Sequence, residues 1–231
     1  LARARILELF GASKEPWLVA GFVEYQMATG STRVADMLAK VPSPHDKILL
    51  DRINEMVRPS ASGSARVPAL ALLAHIVRRE PSWLHKVPQH NVFRDLLQML
   101  RFERDPVPLL SGLLLLITLL PMIPTMISQF FQDIFDVFGK LAAWDGRSAP
   151  YPHRDHLQLA LYGLFQNLYG MYPCNFVDFL RREYCKKDNQ EVFTHTVRPM
   201  IESVRMHPLL ILASKNSETD AERWKKMEHH D

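Results

Sequence analysis

Five prolines, Pro42, Pro81, Pro121, Pro173 and Pro208, each follow a stretch of apolar residues set at helical intervals, and they recur 39, 40, 52 and 35 residues apart. Four residues before them stand Leu38, Val77, Ile117, Tyr169 and Val204. Five before the first four stand Met37, Ile76, Leu116 and Leu168, and eight before stand Val34, Leu73, Leu113 and Phe165. Positions four and eight back from one point share a helix side, so each segment offers one apolar stripe to a neighbour. Proline disfavours helix at the residue before it and acts as a stop. The spacing brackets the roughly 40 to 47 residue period of HEAT-type helix pairs.

Between the anchors lie second amphipathic helices, expected over 46–57, 92–102, 127–144 and 176–185. In the third, Phe131, Ile134, Phe135, Phe138 and Leu141 fall three and four apart while Gln132, Asp133, Asp136 and Lys140 fill other faces. Helix 109–120 is apolar nearly all round, which in a solenoid marks a central repeat covered from both sides. Residues 59–64, 145–152 and 214–220 read as loops, and neither 59–64 nor 214–220 looks like a linker between independent domains. The expected architecture is all-α: a HEAT-like solenoid of about five antiparallel helix pairs, forming one elongated domain over residues 1–231.

Composition agrees with helices, since only nine glycines are present among abundant Leu, Ala, Met, Lys, Arg and Glu. The net charge of +3 is too small for a dedicated nucleic-acid binder, so no nucleic acid partner is expected. The longest apolar run, 109–123, is broken by Ser111, Gly112, Thr118 and Pro121 and falls short of the roughly 20 residues of a membrane span. With two cysteines and no Asn-X-Ser/Thr acceptor, the expected location is the cytosol. A start at Leu1 with no signal segment reads as a piece of a longer chain.

No phosphate-binding glycine loop, zinc-protease helix, nucleophile elbow or calcium loop occurs, which argues against the common enzyme classes. His153 and His156 have a metal-compatible spacing but no supporting ligands, so neither metal nor cofactor is expected. Cys174 stands near a helix start, where a thiolate could be stabilised, yet no histidine is marked as its base and packing is the expected role. Asp46, Lys47, Asp51, Arg52 and Glu55 share one helix, as a solvated ridge, a partner-facing ridge or an inter-repeat network. Basic residues recur in the last quarter. Arg181, Arg182, Lys215, Arg223, Lys225 and Lys226 are the expected anion-binding, lipid-facing set, with Lys186 and Lys187 nearby.

Several uncommon strings fall in order along the chain: Pro44-His45-Asp46-Lys47, Leu50 to Glu55, Pro81-Ser82-Trp83, Leu120 to Pro124, Phe135 to Gly139, Leu168 to Val177, His207-Pro208, Ser214-Lys215 and Arg223-Trp224-Lys225. Together they make the chain resemble the N-terminal core domain of the hamartin family, with little of the likeness carried before Pro42 or over 145–156. The resemblance implies a HEAT-like core opening a longer scaffold subunit whose partner is tuberin, bound through later coiled-coil regions. It also implies that catalysis belongs to tuberin, whose GTPase-activating domain acts upstream of target-of-rapamycin signalling. Self-association and peripheral residence on phosphoinositide-rich lysosomal or vacuolar membranes are further implications. The expected function is therefore a non-catalytic regulatory scaffold that docks to acidic membranes and proteins. The alternative is a pure protein-interaction or self-association module without lipid binding.

Overall fold

The computed structural model describes residues 2–12, 15–61, 63–144 and 152–226, and no strand occurs among them. The chain divides into two compact units, Leu1–Leu119 and Leu120–Asp231. The all-α, helical-repeat expectation holds in each.

The first unit comprises α1 (Ala2–Ala12), α2 (Pro16–Thr29), α3 (Thr32–Leu38), α4 (His45–Val57), α5 (Gly63–Val77), α6 (Asn91–Phe102) and α7 (Pro106–Leu119). Pro16 starts α2 with a φ already suited to a helix, and Gly30 ends it at φ 64, its N–H on the Gln26 carbonyl at 2.7 Å. Helix α5 packs on α7, α4, α3 and α2, and α4 packs on α2 and α6. The core between them is aliphatic: Leu49 and Ile53 of α4, Leu70 and Leu73 of α5, Leu96 and Leu100 of α6 and Leu113 and Leu116 of α7 are all buried. Gly112 lets α6 and α7 approach, since a Cβ there would lie 2.7 Å from the Met99 methyl and 3.1 Å from Leu100 Cδ2.

Polar side chains join successive helix pairs at the repeat interval. Asp36 accepts from His75 Nε2 at 2.9 Å and from Arg79 Nε at 2.8 Å. Asp46, itself buried, pairs with Lys86, and Asp51 accepts from His90 Nε2 at 2.9 Å. His90 Nδ1 accepts from Val92 N–H at 3.1 Å and so caps α6, which leaves Nε2 as the protonated donor toward Asp51. Arg66 reaches from α5 to Glu103 while donating to the carbonyls of Arg58, Pro59 and Ala61, and Glu103 accepts from Arg104 N–H and Asp105 N–H. One ion pair thereby fixes the α4–α5 and α6–α7 turns.

The second unit comprises α8 (Phe131–Ala142), α9 (His153–Met171), α10 (Pro173–Tyr184), α11 (Gln190–Val192), α12 (Arg198–Glu202), α13 (Leu209–Leu212) and α14 (Ala221–Lys225). Its core is aromatic. Phe138 meets Phe176 edge-on at 5.1 Å, Phe135 stacks on Phe179 at 5.0 Å, and Phe165 lies 5.7 Å from Phe176. Between α11 and α12 the chain widens to π-helical turns over Phe193–Val197, just before Pro199, which has no N–H to give the preceding turn.

Several expected boundaries move. The helix expected over 127–144 is α8, preceded by a 3-10 turn, Ser128–Phe130, and the loop expected over 59–64 ends by Gly63. Pro173 opens α10 as its first residue, because proline's missing N–H costs nothing there. Val204 lies beyond α12, so Pro208 ends no helix. The expected loop at 214–220 contains a 3-10 helix, Lys215–Thr219. Helix α7 is not covered all round, since Leu114 is half exposed. The expected loop at 145–152 lies, up to residue 151, outside the described residues.

Candidate functional site

The α10 end of the second unit gathers most of the residues in question. Helix α10 begins with Pro173, so its next donors are the N–H groups of Cys174 and Asn175. Both donate to the Glu218 carboxylate, Asn175 N–H at 3.0 Å, and the Asn175 side-chain amide donates to it at 2.7 Å. Glu218 is fully buried. A carboxylate at a helix N-terminus meets unsatisfied donors and the positive end of the helix dipole, which offsets its burial. The Glu218 carbonyl in turn accepts from Trp224 Nε1 at 2.9 Å and from Arg223 at 3.3 Å. This clamp was not legible in the sequence, where Glu218 is one acid in a short polar run.

The six expected lipid-facing residues divide into two groups. Arg181, Arg182, Lys215, Lys225 and Lys226 are exposed. Lys215 and Arg182 meet on Asp178 Oδ2, at 2.7 and 3.1 Å, and the hydrogen bond from Lys215 holds the Asp178 carboxyl below the usual range. Lys225 pairs with Glu222 at 2.6 Å, and Lys186 with Glu183 at 2.6 Å. Arg181 and Lys226 enter no ion pair with a described residue. Arg223 differs from the rest: it donates to the Met171 carbonyl at 3.1 Å, stacks 4.5 Å over the Trp224 ring and is partly buried, which lowers its pKa. Its guanidinium holds α14 to the end of α9.

The Cys174 thiol lies 3.4 Å from the Leu209 carbonyl and 3.7 Å from that of Ala213. Burial, and then its hydrogen bond with Glu218, push its pKa up to about 11, the reverse of what a nucleophile needs. Tyr172 donates to the Pro124 carbonyl at 2.6 Å, and burial pushes its phenol upward. His153 and His156 stand in the first turn of α9, and among the described residues no group of three His, Cys, Asp or Glu could hold a metal ion. Of the polar ridge on α4, Asp46 and Asp51 belong to the inter-repeat network, whereas Arg52 and Glu55 pair with each other at 3.0 Å in solvent. No helix among the described residues is long and apolar enough to cross a membrane.

Comparison with known proteins gives these residues a lineage. The family model of the hamartin N-terminal domain matches residues 1–231, including the stretches before Pro42 and over 145–156. Human hamartin is 45% identical over 228 residues, and mouse hamartin 44% over 227, each match covering 97% of this chain and 19% of the relative. The chain thus spans about a fifth of the length of the curated relatives it matches. A solved TSC1 N-terminal and linker domain structure superposes with a TM-score of 0.78 at 24% identity, covering 99% of this chain and 62% of that one. A second, of the TSC1 N-terminal domain, gives 0.76 at 22% identity over 99% and 66%. At that identity the two structures establish the shared helical fold. The sequence matches establish kinship, and the chain belongs to the hamartin family, in which it corresponds to the N-terminal domain.

Proposed function

We propose that this chain is a non-catalytic regulatory scaffold domain of a hamartin–tuberin assembly that restrains target-of-rapamycin signalling. In this reading it sits peripherally on phosphoinositide-containing lysosomal or vacuolar membranes, and its two units behave as one domain. Family membership supports the scaffold role. The observation that carries the docking part is the placement of Arg181, Arg182, Lys215, Lys225 and Lys226, all exposed on the second unit, with two of them converging on Asp178. Exposed ion pairs are worth about 0 to 1 kcal/mol, so an anionic headgroup competes readily with Asp178 and Glu222 for these cations. Each cation near an anionic leaflet contributes about 1 kcal/mol. Sedimentation with vesicles of graded phosphoinositide content tests this: bound protein should rise with phosphoinositide and fall with salt, and a lack of binding at every composition contradicts it.

A second reading, protein interaction or self-association without lipid, draws on α2, where Trp17 and Tyr25 are 66% and 56% exposed on either side of Gly21. Tuberin contact falls outside this chain on either reading. Concentration-dependent sedimentation without vesicles distinguishes the second reading from the first.

A further inference from the structure

Among the described residues the three most exposed large apolar side chains are Leu212, Ile211 and Met206, at 81%, 73% and 71%. Single exposed apolar residues are ordinary. These three fall within one short stretch, with Arg205 at one end and Lys215 at the other, and no acidic residue occurs between Ser203 and Ser217.

The backbone of this stretch is held from beneath. Tyr169 OH donates to the Arg205 carbonyl at 2.8 Å and accepts from His207 N–H at 2.9 Å. His207 Nδ1 accepts from Leu209 N–H at 3.1 Å, and the Asn175 amide donates to the Lys215 carbonyl at 3.0 Å. The Cys174 thiol lies against the Leu209 and Ala213 carbonyls. Helix α13, Leu209–Leu212, is far too short to persist without such anchors. The anchors fix the main chain while leaving Ile211 and Leu212 in water.

We infer that residues 205–215 form a membrane wedge: Met206, Ile211 and Leu212 enter the headgroup–acyl boundary of an anionic bilayer while Arg205 and Lys215 rest at its phosphates. The inference rests on the membrane-docking reading above and supplies what that reading lacks. Most of the neighbouring cations are already paired with acids, so charge alone gives a shallow, salt-sensitive attachment. Stable peripheral binding needs a second contribution, and apolar insertion is one that salt does not screen. The flanking cations, with no acid between them, favour an anionic lipid surface over a protein surface of mixed charge.

The test compares the parent chain with the double variant Ile211→Ser, Leu212→Ser on vesicles of phosphatidylcholine with added phosphoinositide, at low and at high salt. Both side chains are exposed, so circular dichroism and melting should match the parent. The parent should keep a bound fraction at high salt, and the variant should bind about fivefold or more weakly there. Equal binding of parent and variant at both salts overturns the wedge while leaving charge-based docking intact. Failure of the parent to bind at either salt overturns the docking reading and the wedge with it.

Discussion

Asp36 Oδ1 and His75 Nε2 stand 2.9 Å apart although 39 positions separate them in the chain. Each lies six residues before its proline anchor, Pro42 or Pro81, and Asp51 and His90 each lie nine after the same two anchors. Stacked repeats bring equivalent positions of successive helix pairs side by side, so a polar residue recurring at the repeat interval meets its own counterpart. The spacing legible in the sequence is therefore also a spacing of contacts.

That contact should be visible in acid. The hydrogen bond from His75, and after it the charge of Arg79, hold the Asp36 carboxyl below its usual 3.8. A carboxyl depressed on folding stabilises the native state above its unfolded pKa and loses that contribution as pH falls through the folded value. Above about pH 5, Asp36→Asn should be less stable by about 0.5 to 1 kcal/mol, and the gap should close in stronger acid. Urea titrations across pH measure it, and a gap that widens in acid contradicts the assignment.

Glu218 offers a larger effect. Replacing it with alanine leaves the Cys174 and Asn175 N–H groups without their acceptor at the start of α10. An unmet buried donor costs about 1 to 3 kcal/mol, so Glu218→Ala should melt several degrees below the parent. Asp220→Ala, an exposed change nearby, should cost less, although it removes the α14 cap. Thermal unfolding of the two variants ranks them, and the reverse order would show that the clamp is not what holds this end.

How much of this was legible beforehand depends on the kind of signal. The stripes over α4 and α6 gave helix positions within a residue or so, because periodic burial is written directly in residue type. Proline as a helix stop holds for Pro42 and Pro81, but Pro173 is equally at home as a first residue and only the fold decides. Arg223 looks like one more surface cation in the sequence, which shows charge and not direction; the carbonyls of Met171 and Glu218 that draw it inward come from distant and local turns alike. The Glu218 clamp joins residues 43 and 44 positions apart, and no local pattern announces it.

Cys174 should be inert. With its thiol pushed up to about 11, it should resist alkylation near neutral pH while the exposed Cys185 is modified. Cys174→Ser should leave function intact with modest destabilisation. Mass spectrometry of the alkylated chain gives the site occupancy, and preferential labelling of Cys174 would restore a chemical role.

Leu116 is fully buried in α7. Proline there removes a backbone hydrogen bond and clashes with the preceding turn, at about 3 kcal/mol or more, and the lost leucine adds roughly 2 to 5 kcal/mol. Because domains hold only about 5 to 15 kcal/mol, Leu116→Pro should be insoluble or degraded. Asn216→Pro, at an exposed position of the Lys215–Thr219 3-10 helix, should be mild by comparison. Soluble yield and melting compare the two, and a Leu116→Pro protein melting within a few degrees of the parent would remove α7 from the core.

The most direct test of the docking account reverses the two exposed cations that have no ion-pair partner among the described residues, Arg181→Glu with Lys226→Glu, and measures vesicle binding at moderate salt. Neither side chain supports the fold, so the melting temperature should stay at the parent value. Binding to phosphoinositide vesicles should fall by about tenfold or more, as expected from losing and reversing cations each worth about 1 kcal/mol at an anionic surface. Full retention of binding by this variant would contradict the assignment of the membrane-facing surface to this end of the second unit.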